Sequence, residues 1–105
     1  MNDLETAGKL RAAAAVLRHR GWCQGDWQGP NGSVCLAQSL VLVDGWKRVP
    51  VDALGLAWSV GEWNDQPGRT VDEVLDRLES TALALEVRAF AAETPAESKP
   101  ELVPA

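Results

Sequence analysis

Apolar residues recur at three- and four-residue steps in two long stretches of this chain. In the first, Leu4, Ala7, Leu10, Ala14 and Leu17 share one face of a helix expected over residues 3–20. Asp3 suits its N-cap, Glu5 stands four residues before Lys9, and Arg18, His19 and Arg20 set positive charge at its C-terminal end. Gly21 then fits the left-handed cap position. In the second stretch, Val71, Val74, Leu75, Leu78, Ala82, Leu85 and Ala89 make one stripe along a helix over 70–92. Thr70-Val71-Asp72-Glu73 opens it as a capping box, and Glu73 stands four residues before Arg77, a favourable pair orientation.

The middle of the chain is less regular. Residues 22–32, WCQGDWQGPNG, read as a Trp- and Gly-rich loop with a Pro-Asn-Gly turn. Over 33–43, SVCLAQSLVLV, the β-friendly runs lack strict alternation and are broken by Ala37-Gln38-Ser39. A buried helix capped by Ser33 is the expectation, with a short strand as the alternative. Pro50 suits a first turn, so VDALGLAW predicts a short third helix near 51–58, and 59–69 reads as irregular. The pattern therefore predicts an all-α fold, a single small helical domain over residues 1–92 with four helices, the first packed on the last. Residues 93–105 hold three prolines and little to bury, and are expected to form a flexible tail.

Charge changes the picture along the chain. The net charge of −5 divides unequally: residues 1–50 carry six bases against four acids, whereas residues 51–105 carry four against eleven. A phosphate-binding surface needs clustered bases, so this distribution argues against direct nucleic-acid binding. No apolar run approaches the ~20 residues of a membrane span. Asp3 and Glu5 stand where a secretory signal carries bases, so a cytoplasmic location is expected.

Candidate chemistry is sparse. His19, Cys23, Asp26 and Cys35 are spaced H-x3-C-x2-D-x8-C, without the paired elements of a zinc site. Nothing marks Cys35 as an activated nucleophile, and no Gly-rich phosphate loop with its lysine is present. Neither a metal nor a cofactor is expected, and the reading leans away from an enzyme. The densest constellation is WNDQPGRT, residues 63–70. Pro67-Gly68 fits the centre of a type II turn, Thr70 caps the next helix, and Asp65 can take turn amides or pair with Arg69. Trp63 suits an anchor against the core, and Arg69, just before a cap, is expected to stay solvated. The same Trp63, Asn64, Asp65 and Arg69 form a candidate contact patch.

With GWCQG at 21–25, VCL at 34–36 and WNDQPGRT-x2-EV at 63–74, the chain resembles a family of small uncharacterised proteins from actinobacteria and their phages. The resemblance covers roughly residues 4–90. Relatives tend to carry a Gly-Ala pair where this chain has Gln38-Ser39. The resemblance implies a source and a shared fold, and it transfers no catalytic residue. The functional expectation is a non-enzymatic cytoplasmic interaction module, phage- or prophage-encoded, that engages a host protein or another copy of itself. Its acidic last helix, with Asp72, Glu73, Asp76 and Glu79, is the expected face for a basic partner. The alternative is a small enzyme or ligand-binding protein with a pocket near Cys35 and the segment Trp63–Arg69.

Overall fold

A computed structural model of the chain describes residues 2–56 and 59–93. Among them the fold is all-α, with five helices rather than four: α1 Asp3–Arg20, α2 Leu36–Asp44, α3 Arg48–Ala53, α4 Val60–Asn64 and α5 Val71–Glu93, plus a 3-10 turn at Pro30–Gly32. The tail expected over 93–105 lies, from residue 94 on, outside the described residues, as do the last two positions of the helix expected over 51–58.

α1 and α5 form the main contact of the fold and run antiparallel. Leu10 and Leu17 of α1 meet Val74, Leu78, Ala82 and Leu85 of α5 in one buried cluster. Ala7, Ala13 and Ala14 are fully buried too, and such small side chains let helices approach closely. Leu4, expected in the stripe, is about half exposed. Three ion pairs tie the helices along their edges: Asp3 to Arg88, Arg11 to Glu86 and Arg18 to Glu79. The cap of α1 is Asn2 rather than Asp3, its Oδ1 accepting from the Glu5 amide at 2.8 Å. Gly21 ends the helix with φ 92° and ψ 162°, so it leaves along an extended path open to glycine instead of the left-handed helical one.

α2 starts three residues later than the sequence pattern suggests, because Ser33, Val34 and Cys35 are extended. Val34 bridges two loop segments, parallel to Trp22 and antiparallel to Gln28. Its amide donates to the Gly21 carbonyl and its own carbonyl accepts from Cys23, both at 3.0 Å. The strand tendency of this stretch is confined to that bridge, and no strand forms among the described residues. Cys35, not Ser33, is the N-cap, with its Sγ accepting from the Gln38 amide at 3.4 Å. Ser39 is fully buried and its hydroxyl donates to the Leu36 carbonyl at 2.6 Å, so the helix accommodates it without an unpaired polar group.

α3 begins at Arg48 and stops at Ala53. α4 falls inside the stretch read as irregular. Its cap is Ser59, whose Oγ accepts from the Glu62 amide at 3.2 Å and donates to the Glu62 carboxylate at 3.0 Å.

Candidate functional site

Asn64 is the meeting point of all three sequence blocks GWCQG, VCL and WNDQPGRT. It closes α4 and is fully buried. Its Oδ1 accepts from the Trp22 indole N–H at 2.6 Å and from the Leu36 amide at 3.0 Å. Its Nδ2 donates to the Cys23 carbonyl at 3.1 Å and to Asp65 Oδ1 at 2.9 Å. Two donors and two acceptor positions are thereby filled, the full capacity of an amide side chain. Asp65 Oδ1 also accepts from the Gly25 amide at 2.9 Å, and Arg69 bonds the Trp63 carbonyl and Glu73 in place of Asp65. Gln24 Nε2 donates to the carbonyls of Asn64 and Gln66 at 2.9 and 3.0 Å. The first four residues of the Trp- and Gly-rich loop, Trp22 to Gly25, are thus held to Asn64, Asp65 and Gln66.

Gly29 lets that loop close. A Cβ there would lie 2.6 Å from Ser33 Oγ and 3.0 Å from Cys23 Cβ. No side chain fits without displacing them.

Trp63 and Arg69 form a second unit. Trp63 is buried in the core, and the Arg69 guanidinium carbon lies 3.9 Å from its ring centroid. Arg69 Nε donates to the Trp63 carbonyl at 3.0 Å and Nη1 approaches Glu73 at 3.4 Å. Its side chain is 16% exposed, against the expectation of a solvated arginine. The turn between them is as the sequence suggests: Arg69 N–H donates to the Gln66 carbonyl at 3.0 Å, and Gly68 has φ 84°. The capping box is formed, with Thr70 N–H donating to Glu73 Oε1 at 2.9 Å and Glu73 N–H donating to Thr70 Oγ1 at 3.2 Å. Glu73 pairs backwards with Arg69, while the Arg77 guanidinium carbon lies 5.8 Å from the Trp63 ring centroid.

Of the four acids expected to form one face, Glu73 is thus engaged in the cap and Glu79 in the pair with Arg18. Asp72 and Asp76 are exposed and, among the described residues, make no ion pair. The cysteines are both free thiols, Cys23 half-buried and Cys35 buried. Burial pushes the Cys35 thiol pKa up, the opposite of what activates a nucleophile. A cleft of about 290 Å³ touches Cys35 and Asp65, and neither Trp63 nor Arg69 lines it. His19 sits exposed on the last turn of α1.

The feature that sequence reasoning did not locate lies elsewhere. Trp27 and Trp46 stand edge-to-face with ring centroids 5.2 Å apart, 47% and 75% exposed. They flank a half-open cleft of about 360 Å³ whose floor includes Leu40, Val41, Val51 and Val60. Lys47 lines it as well. An indole looks the same in a sequence whether it faces the core or water. The nearest signal was the Asp44-Gly45 turn directly before Trp46, since a turn tip is a poor place to bury a ring.

Compared with known proteins, residues 1–55 and 40–84 match a family of unknown function (DUF6197). The chain belongs to that family. The family match spans the Asn64 network, the Trp63–Arg69 unit and the Trp27–Trp46 cleft. No curated protein and no solved structure matches the chain.

Proposed function

We propose that the protein is a non-enzymatic interaction module that seats an apolar side chain of a partner protein in the cleft between Trp27 and Trp46. The observation that carries this reading is the exposure of two adjoining indoles beside an apolar cleft of about 360 Å³. Rings left out of a small core carry a standing cost in water, and buried Trp is the commonest binding hot spot. The cleft is within the range of ligand sites, but it is half-open and mostly apolar, with Lys47 and Asp52 its charged lining residues, which favours a protein surface over a small substrate.

Two further observations support a role without chemistry or nucleic acid. The polar groups of the candidate contact patch, Asn64, Asp65 and Arg69, are bonded within the fold, and Arg69 stacks on Trp63. The bases of α1 are engaged as well: Lys9 with Asp44, Arg11 with Glu86, Arg18 with Glu79, and Arg20 with the Gly32 carbonyl. No helix among the described residues is long and apolar enough to cross a membrane. A cytoplasmic setting, a phage or prophage origin and a host target belong to the same proposal, on the resemblance of the sequence blocks.

Trp46→Ala tests the reading, because so exposed a ring contributes little to folding. A protein captured from an actinobacterial lysate by the wild type and not by Trp46→Ala is the expected result, with both baits melting alike. Capture that ignores Trp46 overturns it.

A further inference from the structure

Asp72, Asp76, Ser80, Leu83, Val87 and Phe90 form one row along α5, and every one of them is exposed. The row lies opposite the stripe of Val74, Leu78, Ala82 and Leu85 that packs into the core. At 1.5 Å per residue it is about 27 Å long, acidic in its first half and apolar in its second. Leu83, Val87 and Phe90 are 56%, 59% and 71% exposed, at the i, i+4, i+7 spacing by which one helix engages another.

We propose that this face of α5 docks an amphipathic helix of another protein, apolar along one stripe and carrying Lys or Arg beyond one end of it. Charge complementarity selects that occupant. The other glutamates of α5 that touch neighbours are neutralised within the fold: Glu73 by Arg69, Glu79 by Arg18, Glu86 by Arg11. Asp72 and Asp76 remain to face a partner, continuous with the apolar half of the row. A second copy fits badly. Antiparallel pairing of two such rows would set carboxylates on Val87 and Phe90, and parallel pairing would set carboxylate on carboxylate, in chains of net charge −5. An anionic lipid surface would be repelled by the same acids.

The probe is a synthetic amphipathic helix with a leucine stripe and lysines beyond one end of it, beside a twin with glutamate in place of each lysine. Titration calorimetry is expected to show binding of the lysine peptide alone. Leu83→Ser with Val87→Ser should weaken it by about tenfold or more, as loss of apolar anchors does. Asp72→Asn with Asp76→Asn should weaken it less and reduce its salt dependence. Trp46→Ala should leave it unchanged, so this surface and the indole cleft stand or fall separately. All five substitutions are at exposed positions, and unchanged melting checks that the fold survives. Equal affinity of the serine variant would overturn the proposal by showing charge attraction alone. A wild-type dimer that dissociates on Leu83→Ser with Val87→Ser would overturn it in favour of a second copy.

Discussion

The indole N–H of Trp22 donates to Oδ1 of Asn64 at 2.6 Å, across 42 positions of sequence. That bond, with those from Leu36 and to Cys23, makes one buried amide the joint between the loop, α2 and α4. Removing it leaves several polar groups unpaired, each costing about 1–3 kcal/mol. Asn64→Ala is therefore expected to destabilise the protein by about 3–5 kcal/mol, a large fraction of a typical ~5–15 kcal/mol total. Urea unfolding midpoints check this. Asn64→Asp, which sets a second carboxylate beside Asp65, should lose stability at neutral pH and regain part of it on mild acidification. An Asn64→Ala protein that unfolds with the wild type would mean that the joint is not formed.

Trp63→Ala should cost about 3–5 kcal/mol, as a large ring deleted from a core does. Arg69→Ala should cost about 1–2 kcal/mol, because the guanidinium stacks on that ring and bonds its carbonyl. Arg69→Lys should recover little, since an ammonium has no planar face to lay on the indole. The double variant Trp63→Ala, Arg69→Ala is expected to cost less than the sum of the singles. Strict additivity in thermal or denaturant unfolding would rule out the stack.

The capping box of α5 gives a smaller, local effect. Thr70→Ala should destabilise by about 0.5–2 kcal/mol, and Glu73→Ala by a comparable or smaller amount. Both remove bonds from the same end of α5, so together they should cost less than the two separately. Amide exchange in the first turn of α5 should quicken in either variant while that near its middle changes little.

How far the fold was legible depends on whether the signal was local. α1 and α5 repeat their apolar spacing over several turns, and that redundancy survives a misplaced cap at Asn2 or an exposed Leu4. α4 is five residues long, too short for any period to show. Its start nevertheless carried Ser59-x-x-Glu62, the same signature as Thr70-x-x-Glu73. The start of α2 was hidden for a different reason: Val34 and Cys35 are extended because residues 21–29 pair with them, a non-local cause. WNDQPGRT was readable as a turn and a cap from its own residues. The role of Asn64 was not, because its partners Trp22, Cys23 and Leu36 lie at least 28 positions away.

Acid should loosen the fold by a route that the ion pairs of α1 and α5 set. The Arg88 guanidinium bonded to Asp3, and that of Arg11 bonded to Glu86, hold both carboxyl pKa values below their ordinary range. The Thr70 amide does the same for Glu73. A carboxyl group whose folded pKa lies below its unfolded one binds fewer protons when folded. Its contribution is therefore complete above the unfolded value, roughly pH 4, and is lost as pH falls through the folded value. The melting temperature should fall below that range, and less steeply in high salt, since these groups are reached by solvent. Arg88→Gln and Arg11→Gln should melt below the wild type at neutral pH, and the gap should narrow as the carboxylates protonate. A gap of constant size from neutral pH to below pH 3, about a unit under the ordinary carboxyl range, would assign these arginines a packing role and remove the ion pairs from the stability of the α1–α5 contact.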